Sequence, residues 1–286
     1  MNEFEPQNLL ELPTCKCSLG CPILDRLLDG GIPCNSVTEI VAESGSGKTQ
    51  LCLQLLLTAQ LPVSRGGLNA ASIYIHSEFP FPSRRLKQLS SFLLSSSSKD
   101  PLDRIFVRAA HTPGELLALL DRAEYLIARS VNDSFPIKLI VIDSIAALFR
   151  SEFDNTPTDL KRRSALFFKI GAKLKLQARR FNLAVVVTNQ VVDLMGSGDG
   201  ANGVRVGNYG GLYSSGRRVC PALGLSWASC VNSRVFLSRS DEVVNSGGET
   251  EGNVRTRRKM QLVFAPHLPE SSFEFVILKE GVFGVS

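Results

Sequence analysis

From Val37 to Leu61 the chain passes through three contrasting stretches. A β-branched apolar run (Val37 to Ala42) meets the glycine-containing turn Glu43-Ser44-Gly45-Ser46-Gly47, and a leucine-rich segment opens at Lys48. Strand, tight loop and helix N-terminus is the order this pattern dictates, and such a unit needs further parallel strands and covering helices, so the fold class follows as α/β. Backbone N–H groups converge at a junction of this kind, and an anion is favoured there. The pattern G-x-x-x-x-G-K-[ST] holds except at its first position, where Ala42 replaces glycine. Alanine fits that turn if its φ is negative and costs about 1–2 kcal/mol if it is left-handed. The stretch therefore predicts a nucleoside triphosphate site. Glu43, Ser44, Gly45, Ser46, Gly47 and Gln50 surround the phosphates, Lys48 reaches the β- and γ-phosphates, and the Thr49 hydroxyl ligates Mg²⁺. A chance GKT at a helix start is the bland alternative, and the flanking strand and helix argue against it.

A chain of 286 residues suffices for one large α/β domain with a buried core. No apolar run reaches the ~18 residues a membrane helix needs, and Glu3 and Glu5 sit where a signal peptide would be basic. Seven cysteines, an odd number, argue for reduced thiols in the cytosol or nucleus. Cys15, Cys17, Cys21 and Cys34 lie close together in sequence, but they lack the paired C-x₂-C hooks of tetrahedral zinc sites.

Apolar periodicity predicts strands at Val37–Ala42, Ser72–His76, Arg104–Ala109, Lys138–Asp143 and Leu183–Gln190. Helices are predicted at Thr49–Leu61, Ser83–Leu94, Gly114–Arg129 and Leu160–Phe181. This alternation implies a parallel sheet with helices on both faces. After residue 220, Val231–Leu237, Lys259–Phe264 and Phe273–Leu278 read as an antiparallel extension of it. Ser95–Asp100 and the Gly-, Ser- and charge-rich Asp241–Arg258 read as loose connections.

Three further positions complete an ATPase site. Leu139-Ile140-Val141-Ile142-Asp143 is an apolar strand ending in a carboxylate, the form of an aspartate that holds Mg²⁺ through water. Glu78 follows the strand ending at His76. Strand C-termini line the ligand crevice of a parallel sheet, so this carboxylate is placed to orient the attacking water. Gln190, at the end of Val185-Val186-Val187-Thr188-Asn189, is placed to sense the γ-phosphate. Read singly, Asp143 is equally a helix cap, and Glu78 equally an exposed loop acid.

Charge is unevenly spread. Leu160 to Val192 carries eight Lys/Arg and no acid, and Ala201 to Ser240 carries five arginines and no acid. For the predicted helix a solvated basic face is the simpler reading. The glycine-rich loop after Gln190, which bears Arg205, Arg217 and Arg218, suits a polyanion such as single-stranded DNA.

The motifs AESGSGKTQLCLQL, QLPVSRGG, IYIHSE, KLIVIDSIAALFRSEF and VVVTNQV, in this order, resemble the RecA/RadA recombinase core over about residues 18 to 286. Residues 1–17 then form a short N-terminal tail. Within that family the chain resembles the eukaryotic recombinase paralogues, in a plant-like form. The resemblance implies ATP and Mg²⁺ as cofactors, Glu78 as the catalytic glutamate, Gln190 as the sensor and Arg85 near the adenine. It places loop one at about 150–159 and loop two at about 193–221. It also implies a hetero-oligomer with the C paralogue of the eukaryotic recombinase, and with the recombinase itself as a second partner, acting on single-stranded or branched DNA. The implied setting is the nucleus, with the cytoplasm second. The implied work is homologous recombination at double-strand breaks, cross-links and meiotic exchanges, with weak DNA-dependent ATPase activity or an ATP-binding switch. Two alternatives are a self-polymerising strand-exchange recombinase and a RecA-fold ATPase that does not act on DNA. Phe4-Glu5-Pro6-Gln7 does not match the Phe-x-x-Ala polymerisation motif. The matches at Phe106–Ala109 and Phe181–Ala184 run into predicted core strands, so the self-polymerising alternative is disfavoured.

Overall fold

Helix and strand alternate in the computed structural model, which describes residues 15–78, 80–94, 100–150, 153, 156–194, 212–244 and 253–285. The strands are β1 (Lys16–Cys17), β2 (Ile32–Pro33), β3 (Ser36–Ala42), β4 (Ala71–His76), β5 (Ile105–Ala109), β6 (Ile137–Asp143) and β7 (Ala184–Asn189), then β8 (Val191–Asp193), β9 (Tyr213–Ser214), β10 (Arg217–Pro221), β11 (Ser233–Val244), β12 (Asn253–Phe264), β13 (Ser271–Ile277) and β14 (Val282–Val285). The α-helices are α1 (Pro22–Asp25), α2 (Lys48–Thr58), α3 (Ser83–Leu93), α4 (Pro113–Ser130), α5 (Pro157–Phe181) and α6 (Gly224–Ala228).

The main sheet has nine strands in the order β14-β13-β12-β11-β3-β7-β6-β4-β5. β11 pairs in parallel with β3, and from there to β5 every neighbour is parallel. From β11 to β14 every neighbour is antiparallel. The mostly parallel sheet with a C-terminal antiparallel extension is thus the one the hydropathy pattern predicts. Side chains alternate across the strands, so Ile40, Val141 and Val186 pack with α2 and α3 on one face. Val37, Ile140 and Val185 pack with α4 and α5 on the other.

α2 is buried at every position from Leu51 to Thr58. Its one long polar side chain there, Gln54, donates to Leu19 O (2.6 Å) and Val282 O (3.0 Å) and accepts from Val282 N (2.7 Å). It therefore ties both ends of the described chain to the helix that follows the phosphate loop.

Several sequence expectations need correction. α4 and α5 begin earlier than predicted. Thr112-Pro113-x-Glu115 and Thr156-Pro157-x-Asp159 each supply an N-cap threonine, a proline at the first turn and an acid that meets the helix dipole. The predicted strand Leu183–Gln190 breaks at Gln190, which lies between β7 and β8. Asp241–Arg258 is not a loose connection in its described part. Asp241–Val244 ends β11, Asn253–Arg258 begins β12, and Asp241 pairs with Thr256 in an antiparallel hairpin. Strand pairing there rests on backbone bonds and polar cross-strand pairs, to which a hydropathy reading is blind. Residues 95–99, the tail 1–14, and the Gly196–Gly211 part of the glycine-rich loop with Arg205 lie outside the described residues. The basic face of α5 is partly neutralised, because Lys173 pairs with Asp121 and Glu124, and Arg180 with Glu124.

Candidate nucleotide site

Parallel order brings the C-terminal ends of β3, β7, β6 and β4 side by side, and the predicted site residues meet there. Glu43 to Gln50, Glu78, Arg85, Asp143 and Gln190 all border one cleft of about 1520 Å³, with Ser46 beneath its floor. Seven cationic and four anionic side chains line it, so the cleft is net positive and suits a polyphosphate.

Gly47 lies in the left-handed region at φ 108° and caps α2 at Lys48. Gly45 is also left-handed, at φ 79°. Ala42 remains within β3, so the missing first glycine imposes no left-handed residue there. Lys48 Nζ donates to Ala42 O (2.6 Å) and Glu43 O (3.0 Å), two of its three N–H donors. Burial pulls its pKa below the ordinary lysine value, and the charges of Asp143 and Glu78 oppose that shift. Ser46 Oγ is buried and has no hydrogen-bond partner, an orphaned donor inside the loop.

Asp143 accepts three hydroxyl hydrogen bonds: Thr49 Oγ1 at 2.7 Å, Tyr74 O–H at 2.7 Å and Thr188 Oγ1 at 2.6 Å. Desolvation first, then the Asp143 charge, pushes the Tyr74 phenol above its ordinary value, so it stays a donor. An oxygen-only pair from Thr49 and Asp143 matches a hard divalent cation, and Mg²⁺ fits the donors present. Tyr74 and Thr188 were not legible as site residues, because both sit inside apolar strands.

Glu78 accepts from Gln190 Nε2 through both carboxylate oxygens (2.9 and 3.0 Å) and lies 3.4 Å from Arg150 Nη2. Arg150 also donates to Gln190 Oε1, which closes a three-residue cluster. The resemblance put Arg150 at the start of loop one without giving it a role. Arg85 donates to Gln50 Oε1 (2.7 Å), Leu278 O (2.6 Å) and Lys279 O (2.8 Å).

Arg217 and Arg218 depart from the expectation of a loose loop. They lie on β10, which forms a small three-stranded ribbon with β8 and β9. Arg217 bonds Asp193 and also Glu43, at 2.9 Å each. Glu43, with 8% of its side chain exposed, further accepts from Ser214 (2.6 Å), Ser215 and Arg239 (3.2 Å). Burial alone would raise its pKa. The Ser214 and Ser215 hydroxyls, Arg239 and Arg217 outweigh that and hold it below the usual carboxylate value.

The cysteine cluster contributes no metal site among the described residues, where no three His, Cys, Asp or Glu side chains converge. Burial pushes the Cys17 thiol up to about 12 and raises Cys34 as well, so both are held protonated.

A Rad51 family profile matches residues 12–210. The chain is 53% identical to a DNA repair protein XRCC3 homolog of Arabidopsis thaliana, with 99% of this chain and 98% of that one aligned. It is 35% identical to DNA repair protein XRCC3 of Bos taurus, over 94% of this chain and 75% of the relative. It is 33% identical to DNA repair and recombination protein RadA of Metallosphaera sedula, over 93% and 72%. The motif order, the sheet that brings those motifs to one cleft and these matches agree: the chain belongs to the Rad51 family, among relatives named for DNA repair and recombination.

Proposed function

We propose that the chain is an ATP-binding recombinase paralogue of homologous recombination, working in the nucleus within a hetero-oligomer that acts on single-stranded or branched DNA. One observation carries this reading. Thr49 at the start of α2 and Asp143, Glu78 and Gln190 at separate strand ends meet in one cleft, and the strand after Gln190 leads in sequence into the basic glycine-rich segment. Residues 18–286 form the ATPase core in this reading and residues 1–17 a tail, whose last two residues, Lys16 and Cys17, pair with Ile32–Pro33 and join that core.

Each residue has a distinct task. Glu43 to Gln50 surround the phosphate tail, Lys48 supplies charge, and Arg85 with Leu278 and Lys279 borders the base end. Thr49 and Asp143 would hold Mg²⁺, which would supply charge neutralisation of the polyphosphate. Glu78 orients the attacking water, and Gln190 and Arg150 set its carboxylate. Gln190 also begins the segment that returns as β10, so the nucleotide state is felt at loop two, where Arg205, Arg217 and Arg218 meet DNA phosphates. Arg217, held by Glu43 and Asp193, is available to DNA only when that ribbon moves.

The test is co-purification with candidate recombinase paralogues, followed by ATP binding and turnover on the resulting complex. A defined heteromer is expected. Lys48→Ala should lose ATP affinity, and Glu78→Gln should keep binding while turnover drops roughly a hundredfold. A homogeneous ATP-dependent filament of this chain alone would favour the self-polymerising alternative. Unchanged ATP affinity in Lys48→Ala would remove the nucleotide site.

A further inference from the structure

The antiparallel extension brings a second set of cations against the phosphate loop. In register across β11, β12 and β13 stand Arg239, Arg258 and Phe275, and residues paired across strands share a face. Two contacts show that this face covers the loop. A Cβ placed on Gly45 would lie 2.7 Å from Arg239 Nη1, and one on Gly47 would lie 3.6 Å from the Phe275 ring and 2.8 Å from Ile277 Cδ1. Arg258 stands between Arg239 and Phe275 and lines the cleft with Arg239.

Two arginines directly opposite each other weaken a strand pair, and Glu43 and Asp193, the carboxylates bonded to the arginines at this end of the cleft, are fewer than the arginines there. Glu43 and Asp193 supply two negative charges, while Arg217, Arg239 and Arg258 supply three positive ones. Arg217 takes both acids, and Arg239 shares Glu43 through Nε alone. Arg258 Nε is buried with no hydrogen-bond partner, as is Ser46 Oγ in the loop. Buried donors of this kind are costly unless an acceptor meets them.

We infer that Arg239 and Arg258 form a second cationic subsite of the nucleotide cleft, which takes the terminal phosphate of a bound nucleoside triphosphate. A phosphate tail that enters at the start of α2, beside Thr49 and Gln50, would have its terminal group near Gly45, against which Arg239 lies. The subsite would distinguish triphosphate from diphosphate, a task Lys48 alone does not perform because it also faces the β-phosphate. This inference rests on the nucleotide reading of the cleft.

The Arg239→Gln/Arg258→Gln double variant of the full chain, in complex with its partner if one is needed for solubility, is titrated with ATP and ADP in the presence of Mg²⁺. ATP affinity is expected to fall at least about tenfold, as for loss of a charge-assisted hydrogen bond, and ADP affinity by less than about twofold. Arg239→Lys, which keeps the charge, should retain most of the preference for ATP. Arg258→Gln alone should hold or raise the melting temperature of the nucleotide-free protein, because it removes the opposed charge. Equal losses on ATP and ADP, or no loss on ATP, would overturn the inference. Unchanged ATP affinity with weakened single-strand binding would also overturn it and assign the pair to DNA. A wild-type protein that binds neither nucleotide would bring down the cleft reading itself, which distinguishes that failure from the others.

Discussion

Lys48 is a cation held where water is scarce, and its pKa shift makes a pH prediction. Its folded value lies below the ordinary 10.5 because burial outweighs the attraction of Asp143 and Glu78. The sign follows from linkage. The unfolded chain binds the proton more tightly, so charged Lys48 costs stability below the folded value, and the cost is relieved as pH rises through it. Nucleotide binding reverses the preference, since a triphosphate favours the ammonium. ATP affinity should therefore fall with rising pH before 10.5 is reached, and binding in that alkaline window should take up a proton. Calorimetry in buffers of different ionisation enthalpy measures that uptake. Proton-neutral binding throughout the window would show that Lys48 does not face the phosphates. At this scale, the residues legible in sequence are those at element boundaries. Lys48 and Thr49 open a helix, while Asp143, Glu78 and Gln190 end or follow strands, so chain order alone predicts that they meet. Tyr74, Thr188 and Arg150 were not legible. Two are polar positions within apolar strands whose partner is set by register, and the third lies on a loop whose course no periodicity fixes.

Glu43 makes the phosphate loop and the β8–β10 ribbon one unit, because its carboxylate accepts from Ser214, Ser215, Arg217 and Arg239. Glu43→Gln keeps the shape but removes the charge that holds two guanidinium groups. The carboxylate of Glu43 is held below its ordinary pKa, so its contribution is present above the unfolded value of about 4.3 and is lost as pH falls through the folded one. At neutral pH the variant should therefore show faster amide hydrogen exchange in Tyr213–Pro221, with β3 and β7 unchanged. Unchanged exchange in the ribbon would mean that backbone pairing alone holds it and that Glu43 is no latch. Helices and parallel strands of this chain were legible from hydropathy because each buries a continuous apolar face. The ribbon and the outer half of the β11–β12 hairpin were not: the ribbon strands are two to five residues long, and the described hairpin residues between Asp241 and Arg258 are mostly polar or charged. The ribbon is ordered by Glu43, more than 170 residues away in the chain, and the hairpin by backbone pairing along its whole length, neither of which leaves a hydropathy pattern.

The whole molecule joins a parallel half to an antiparallel half at the β11–β3 pair, and a buried ion pair marks that joint. Arg234 on β11 and Glu39 on β3 are directly paired in register, 1% and 0% exposed, with Arg234 Nε 2.5 Å from Glu39 Oε2. Glu39 also accepts from Trp227 Nε1 of α6 (3.0 Å) and from Asn189 Nδ2 of β7 (2.7 Å). Asn189 Oδ1 in turn accepts the backbone N–H of Gln190 (2.8 Å), and Gln190 holds Glu78. A core carboxylate is thus two residues removed from the group proposed to orient water. Breaking such a pair leaves an unpaired buried charge at a cost of about 3–5 kcal/mol, whereas replacing both members with apolar side chains is often neutral or stabilising. Arg234→Met alone should therefore lower stability by that order in chemical denaturation, and adding Glu39→Leu should recover only part of it, because Trp227 Nε1 and Asn189 Nδ2 then lose their buried acceptor. Function should separate the two variants differently. The double variant removes the acceptor that fixes Asn189, so Gln190 loses its positioned backbone contact. Nucleotide affinity should survive while turnover falls, even though the double variant is more stable than Arg234→Met. Were the folded double variant fully active, the buried pair would serve only the joint between the halves, and the line from Arg234 to Glu78 would carry no function.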